Sequence, residues 1–212
     1  RFLGSRTRLY NAGSSECFGN AGDVPCDEVT PFRPRSPYAV AKAAAHWQVA
    51  NYREAYGLFA CSGILFNHES PLRPERFVTR KVVAAAHRIA KGGDERLVLG
   101  NLDIRRDWGW APEYVVAMWK MLQQEVPADF VVATGETHSL REFVQQAFAF
   151  FGLNWSDHVD SDPGLYRPSE LMMGRANPRR AAEKLHWTAT TRMPEVVRKM
   201  CAVESGQPED GE

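Results

Sequence analysis

Short apolar runs bounded by turn residues recur along the chain and predict buried strands. The clearest is "LFACSGILF" (58–66), which is apolar on both faces. Shorter candidates are "RLVLGN" (96–101), "DFVVATG" (129–135) and residues 8–12. Strands that are apolar on both faces are typical of parallel sheets covered by helices.

Helical segments with clear start and stop signals lie between these strands. Ser36 and Pro37 precede an alanine-rich stretch that ends at Gly57, and Ser139 with Glu142 forms a capping box. Further helices are predicted over residues 78–93, 112–125, 177–185 and from 193 onward. The alternation of strands and helices indicates an α/β fold with a mainly parallel sheet.

The intervening polar segments are predicted to be loops, at residues 13–35, 67–77 and 105–111. Two aromatic-containing stretches at helical spacing, 117–124 and 143–152, are predicted to be core faces of their helices.

Composition places few further constraints on function. The chain has 212 residues with 26 basic and 26 acidic side chains, so no global field draws it to nucleic acid or membranes. No apolar run approaches the length needed to span a bilayer. Its four cysteines have neither CxxC nor Cys/His spacing, which predicts reduced thiols, no metal site and a cytoplasmic location.

A tyrosine and a lysine, Tyr38 and Lys42, lie one helical turn apart in "SPYAVAK". Side chains at positions i and i+4 project from the same helix face. A nearby ammonium group stabilises a phenolate, so the pair suits a tyrosine that must lose its proton near neutral pH. The spacing alone also fits an ordinary exposed pair on a helix.

Ser14 and Glu16 give the pair a context, because they follow the first predicted strand. A strand-end hydroxyl with Tyr38 and Lys42 resembles the extended short-chain dehydrogenase/reductase superfamily. Glu16 is placed like the carboxylate that distinguishes the sugar-nucleotide 4,6-dehydratases of that branch. Such a carboxylate can take the proton from C5 once C4 has become a ketone.

Longer stretches resemble the GDP-mannose 4,6-dehydratase family, in order and spacing, from about residue 8 to 202. They are "PFRPRSPYAVAK", "NYREAYG", "GILFNHESP", "FVTRK", "GNLDIRRDWG", "MLQQE", "YRPSE" and "EKLHW". The resemblance implies that NADP is the cofactor, that GDP-mannose is the substrate and that GDP-4-keto-6-deoxy-mannose is the product.

The resemblance also implies catalytic roles. Tyr38 would deprotonate the C4 hydroxyl while C4 gives its hydride to the nicotinamide, and Lys42 would hold the nicotinamide ribose. Glu16 would remove the C5 proton and help to expel water from C6. Ser14 stands where the family usually has threonine, so the hydroxyl is kept and the methyl group is lost.

Ligand-binding positions follow from the same resemblance. The residues implied for the cofactor are Tyr38, Lys42, Asn67, His68 and Arg73. The residues implied for the substrate are Asn67, Val78, Lys81, Arg106, Arg167 and Glu170. Arg106 suits a diphosphate clamp because a guanidinium can grip two phosphate oxygens, whereas Glu170 would meet a sugar hydroxyl or a guanine N–H.

The expected fold is the C-terminal part of a Rossmann-like doubly wound parallel sheet plus a smaller substrate-binding α/β lobe. Residues 1–75 would be the remnant of the NADP-binding domain, 76–204 mainly the sugar-nucleotide lobe, and 205–212 a disordered tail. No G-x-x-G-x-x-G turn precedes Ser14. We therefore expect the chain by itself to bind dinucleotide poorly and to be inactive or aggregation-prone.

Two alternatives remain open from the sequence. The chain could come from a related nucleotide-sugar epimerase or reductase, although neither reaction needs a base at C5. It could also be an inactive fragment that only binds nucleotide sugar. By resemblance, the full-length protein is expected to form a homodimer or homotetramer, without nucleic-acid or membrane partners.

Overall fold

Helices alternate with short strands in the computed structural model, which describes residues 7–208. The strands within these residues are β1 (Leu9–Ala12), β2 (Ala60–Leu65), β3 (Asn67–Glu69), β4 (Leu97–Leu99), β5 (Arg105–Arg106), β6 (Trp108–Trp110), β7 (Phe130–Val132), β8 (His138–Ser139) and β9 (Val159–Ser161). The α-helices are α1 (Pro37–Tyr56), α2 (Val78–Ala90), α3 (Ala111–Gln123), α4 (Leu140–Phe150), α5 (Arg179–Leu185) and α6 (Met193–Glu204). Three 3-10 helices span Ser15–Phe18, Trp155–Asp157 and Pro163–Leu165.

The main sheet is parallel, with the strand order β1-β2-β7. Tyr10 pairs with Cys61, and Gly63 pairs with Phe130. Every residue of the central strand β2 is buried, as its apolar sequence predicts. The α/β fold with a parallel sheet is therefore confirmed.

Each face of this sheet has its own cover. Cys61 and Leu65 of β2 pack with Tyr114 and Met121 of α3 and with α5. The opposite face packs against Phe18 and the loop that follows it. In that loop the Phe32 ring packs edge to face against Phe18, with ring centroids 5.3 Å apart. It packs in the same way against His46 of α1, with centroids 4.8 Å apart. The sheet is thus buried on both sides.

A second hydrophobic core lies among α2, α4 and α6. Its fully buried members include Val83 of α2, Phe143 of α4 and Met200 of α6. Two-stranded pairings flank this core: β3 with β6 and β4 with β9 in parallel, and β5 with β8 antiparallel. The division of the chain near residue 75 stays a prediction. Of the segments after that point, β7 lies in the main sheet and α3 and α5 pack against it.

Local capping signals were correct predictors of helix ends. The Ser36 hydroxyl accepts a hydrogen bond from Ala39 N at 3.1 Å, and Gly57 ends α1 in the left-handed conformation with φ 63°. Ser139 and Glu142 form the reciprocal capping box of α4.

The loops predicted at 67–77 and 105–111 were partly wrong, because they contain β3, β5 and β6. These strands are two or three residues long, and β3 pairs with β6, so that Asn67 meets Trp108. Pairing between segments so far apart in sequence leaves no periodic signal in runs this short.

The predicted core face at 117–124 was also partly wrong. Ala117 and Met121 are buried, but Trp119 is 61% exposed. The stretch predicted as a tail begins with a turn after α6. In this turn Gln207 N donates a hydrogen bond to Ala202 O at 2.9 Å. Residues 209–212 of that prediction lie outside the described residues.

Candidate active site

Ser14 lies directly beyond the carboxyl end of β1. The preceding Gly13 donates from its N–H to Gly63 O at 2.8 Å, and a Cβ at Gly13 would lie 2.8 Å from that same oxygen. Glycine is therefore needed where the chain leaves the sheet so close to β2. The Ser14 hydroxyl accepts a hydrogen bond from Glu16 N at 3.3 Å and begins the first 3-10 helix.

Glu16 lies on the open side of that 3-10 helix, whose Cys17 and Phe18 are buried. Its carboxylate accepts a hydrogen bond from the Ser36 hydroxyl at 3.5 Å. Glu16 also lines a cleft whose other lining residues include Asn67 and Arg106. Glu16 therefore joins the start of α1 to this cleft.

Tyr38 and Lys42 lie on the first turns of α1. The Lys42 ammonium is 5.7 Å from the centre of the Tyr38 ring and donates to Ala12 O at 2.8 Å. Tyr38 is half exposed. The bond to Ala12 fixes the start of α1 against the end of β1, so all four predicted catalytic residues lie around one corner of the sheet.

Cys17 lies beneath this corner and offers no reactive thiol. Its sulfur is 3.7 Å from Ala39 O, and it is buried. Burial raises the pKa of the Cys17 thiol, although the Lys42 charge acts in the other direction. A buried, protonated thiol is not a nucleophile.

Arg106 of β5 contributes a positive charge to the cleft, which Arg175 also lines. Its Nη2 is 4.0 Å from Glu170 Oε1. Burial lowers the pKa of Arg106, while the carboxylates of Glu170 and Glu16 raise it. Arginine stays protonated under such shifts, so the Arg106 cation faces two carboxylates in this part of the cleft.

The segment that carries Arg167 and Glu170 is tied to the loop after Glu16. The Asn20 amide donates to Glu170 O at 3.5 Å and accepts from Met172 N at 3.3 Å. The Ser169 hydroxyl donates to Arg35 O at 2.9 Å. Arg167 N donates to Glu170 Oε2 at 3.4 Å, which brings both residues beside Arg106.

The other predicted ligand-binding residues on β3 and α2 have different surroundings. His68 Nδ1 lies 2.8 Å from Phe66 O, and its ring stacks on Tyr114 at 4.8 Å between centroids. Burial lowers the pKa of His68. Because a carbonyl only accepts, Nδ1 carries the proton of the neutral ring and Nε2 remains an acceptor.

Arg73 and Lys81 are both bonded within the chain. Arg73 pairs with buried Glu69, its Nε lying 3.0 Å from Glu69 Oε2. Lys81 donates to Val98 O at 2.9 Å, and Val78 begins α2. Arg73, Val78 and Lys81 lie on the loop after β3 and on α2, and none of them lines the cleft beside Glu16.

The chain matches the family model described as GDP-mannose 4,6 dehydratase over residues 1–200. It belongs to the GDP-mannose 4,6-dehydratase family. GDP-mannose 4,6 dehydratase 1 of Arabidopsis thaliana is 52% identical over 197 residues, which cover 93% of this chain and 54% of that protein. The Homo sapiens GDP-mannose 4,6 dehydratase is 46% identical over 210 residues, which cover 91% and 56%.

The chain spans about half the length of the curated relatives it matches. Among solved structures it resembles RMD from Pseudomonas aeruginosa complexed with NADPH, with a TM-score of 0.86 and 20% identity over 97% of this chain and 68% of that one. It also resembles dTDP-glucose 4,6-dehydratase from Bacillus anthracis in complex with NAD, with a TM-score of 0.80 and 20% identity over 90% and 60%. At these identities the likeness establishes the Rossmann-like fold alone.

Three further residues lie at or beside the candidate site, and the sequence alone gave none of them a role there. Ser36 was recognised only as a helix cap, yet its hydroxyl also meets Glu16. Glu69 stands between the predicted residues His68 and Arg73, and its burial was the missing signal. Asn20 lay in an apparent polar loop, and no local pattern links it to Glu170.

Other kinds of site find no support in residues 7–208. These residues contain no cluster of three or more His, Cys, Asp or Glu side chains suited to a metal ion. All four cysteines are buried and unpaired. No helix in the described part of the chain has the length and apolar character to cross a bilayer.

Proposed function

We propose that the whole protein containing this chain is an NADP-dependent GDP-mannose 4,6-dehydratase of the cytoplasm. The observation that carries the proposal is the placement of the Glu16 carboxylate. It meets the N-cap of the helix that bears Tyr38 and shares a cleft with Arg106. A carboxylate base next to the start of the tyrosine-bearing helix, together with a guanidinium suited to a diphosphate, fits the dehydration of a nucleotide sugar.

The residues present fit a nicotinamide cofactor. Lys42 uses one of its three N–H donors on Ala12 O and has two left for ribose hydroxyls. His68 Nε2 can accept from a hydroxyl or an amide N–H but cannot donate to a phosphate. The cofactor supplies a hydride acceptor and donor, and the choice of NADP over NAD follows the family resemblance.

Oxidation at C4 uses Tyr38 and Ser14. Tyr38 takes the proton of the C4 hydroxyl as the hydride leaves C4, and Lys42 stabilises the phenolate through its charge. The Ser14 oxygen accepts from Glu16 N, which leaves its own O–H free to donate to the C4 oxygen. The result is a 4-ketone with an acidified C5 proton.

Dehydration then uses Glu16. The carboxylate takes the C5 proton, and the C6–O bond breaks so that the C6 hydroxyl leaves as water with a proton from Glu16. The hydride would return from the bound cofactor to C6, and Tyr38 would give C5 the proton that it took from the C4 hydroxyl. Atoms balance as GDP-mannose giving GDP-4-keto-6-deoxy-mannose and water.

Arg106, Arg167 and Glu170 bind the nucleotide end. Arg106 grips the diphosphate, since a partly buried guanidinium binds phosphate oxygens strongly. Glu170 is held 4.0 Å from Arg106 and meets a sugar hydroxyl or a guanine N–H. Asn67, Val78 and Lys81 complete the substrate contacts.

The outer face of α1 supports the proposed dimer. Its exposed residues from Val40 to Tyr52 carry no charge, and Trp47 is 62% exposed. The small Ala41 and Ala44 on this face allow close approach of a second helix. We propose that two copies pair through α1, each burying the Trp47 of the other.

The decisive experiment incubates GDP-mannose and NADP with the whole protein. The proposal requires a 4-keto-6-deoxy product without net formation of reduced cofactor. An epimerase would give no loss of water, a reductase would consume added NADPH, and an inactive fragment would bind GDP-mannose in calorimetry without turnover. Any of these three results would overturn the proposal.

A further inference from the structure

Glu69 is a carboxylate buried inside the protein beside the candidate site. It ends β3, two residues after Asn67, and is 1% exposed. Burying an ionised carboxylate is unfavourable unless it is paired and hydrogen-bonded. The buried Glu69 carboxylate therefore needs hydrogen-bonding or charged partners, and the structure provides two on different segments.

The first partner is Arg73, four residues farther along the chain. Arg73 Nε lies 3.0 Å from Glu69 Oε2, and Nη2 donates to Oε1 at 3.3 Å. The Phe77 ring lies against the guanidinium at 4.2 Å from its centroid. One edge of the guanidinium (Nε and Nη2) and one face are thus held, and Nη1 meets no acceptor among residues 7–208.

The second partner is Thr79, on the first turn of α2. Its hydroxyl donates to Glu69 Oε2 at 2.8 Å. The N-cap position of α2, Phe77, provides no side-chain cap, and a carboxylate near a helix N-terminus is electrostatically favourable. Glu69 therefore joins the loop of Arg73 to the helix that begins with Val78 and carries Lys81.

We propose that Glu69 is a positioning residue, which holds Arg73 so that Nη1 faces the phosphates or ribose of the dinucleotide. The inference rests on the proposed function and on the family resemblance, which implies that Arg73 binds the cofactor. A free arginine would lose rotamer entropy on binding, whereas one already held by Glu69 and Phe77 is preorganised. Glu69 itself touches no ligand and acts through Arg73.

The first test uses NMR of the whole protein. The ¹⁵Nε–H signal of Arg73 should be sharp and slow to exchange in the wild type and should broaden or exchange fast in Glu69→Gln. Glu95→Gln, which removes the exposed partner of Arg88 at 2.7 Å, is the matched control and should leave Arg73 unchanged. An unchanged Arg73 signal in Glu69→Gln would overturn the positioning role.

Kinetics of the whole protein separate positioning from mere stability. Glu69→Gln should raise the KM for NADP about tenfold, the usual scale for one charge-assisted hydrogen bond, with kcat within about twofold. In an Arg73→Ala background the same change should have no further effect, because the two residues act as one unit. Equal effects in both backgrounds would contradict the inference.

A milder variant provides a second test in case Glu69→Gln folds poorly. Thr79→Val removes only the hydroxyl that holds Oε2, and should raise the KM for NADP about threefold, again only when Arg73 is present. Absence of turnover in the wild type would overturn the proposed function and the cofactor role of Glu69 together. Turnover with a KM that neither variant changes would overturn the Glu69 inference alone.

Discussion

The hydroxyl of Ser36 donates to the carboxylate of Glu16 at 3.5 Å, while its oxygen accepts from Ala39 N at 3.1 Å. One side chain therefore begins α1 and contacts the proposed C5 base. The helix that carries Tyr38 and the 3-10 turn that carries Glu16 are held in register by this residue.

Substitutions at Ser36 should separate its two roles. Ser36→Ala should lower the free energy of unfolding by about 1 kcal/mol through loss of the cap and should slow dehydration. Ser36→Asp should restore stability, because aspartate is a good N-cap, yet leave dehydration slow, since a carboxylate repels Glu16 and cannot donate to it. Urea unfolding and product analysis check both. Full activity in Ser36→Asp would show that the Glu16 contact is unimportant.

The sequence predicted most of what depends on local signals. Ser36, Pro37 and Gly57 delimit α1 within the chain segment itself, and β2 is recognisable from its apolar run. The strands β3 and β6 were missed because they become strands only by pairing with each other. The candidate site residues show the same difference between local signals and long-range contacts.

Spacing predicted that Tyr38 and Lys42 share a helix face, and family resemblance supplied Glu16 and Arg106. The bond from Ser36 to Glu16 joins residues 20 positions apart across a loop, and the Asn20–Glu170 contact joins residues 150 apart. Such contacts depend on how the loops fold over the sheet, so the hydrophobic periodicity of the sequence does not predict them. Trp119 was misassigned because helical spacing identifies a face and not what covers it.

The capping box of α4 should contribute measurably to stability. Ser139→Ala should lower the free energy of unfolding by about 1 kcal/mol. Hydrogen bonds from the Ser139 N–H and hydroxyl lower the pKa of Glu142, so its contribution is present above the unfolded pKa and lost as acid protonates it. The variant should therefore also lose some sensitivity to acid.

Denaturant titrations of Ser139→Ala at neutral and acidic pH measure both effects. Ser156→Ala, an exposed serine in a 3-10 helix, is the control and should change stability by less than about 0.5 kcal/mol. Equal losses in the two variants would contradict the assignment of the box.

Stability should fall on the acid side through His68. Burial lowers the pKa of His68 from its ordinary 6.5, so the folded state favours the neutral ring. The stabilising contribution is complete above pH 6.5 and is lost as pH falls through the folded pKa. His68→Gln should therefore cost more stability at pH 8 than at pH 5. The same cost at both pH values would show that His68 does not titrate differently on folding.

The α1 face should control self-association. Trp47→Glu should convert a dimer to a monomer in sedimentation, because a carboxylate would be buried against the partner helix. Trp119→Glu changes the same residue type with nearly equal exposure, 61% against 62%, on the other side of the sheet. It should leave the dimer intact. Dissociation by Trp119→Glu alone would move the interface to α3.

The most direct test of the account follows water loss in the whole protein carrying Glu16→Gln, supplied with GDP-mannose and NADP. The amide cannot take the C5 proton, so formation of the 6-deoxy product should fall by about a hundredfold or more while reduced nicotinamide accumulates. Solvent deuterium should enter C5 in the wild type and not in the variant. Dehydration at the wild-type rate in Glu16→Gln would contradict the assignment of Glu16 as the base.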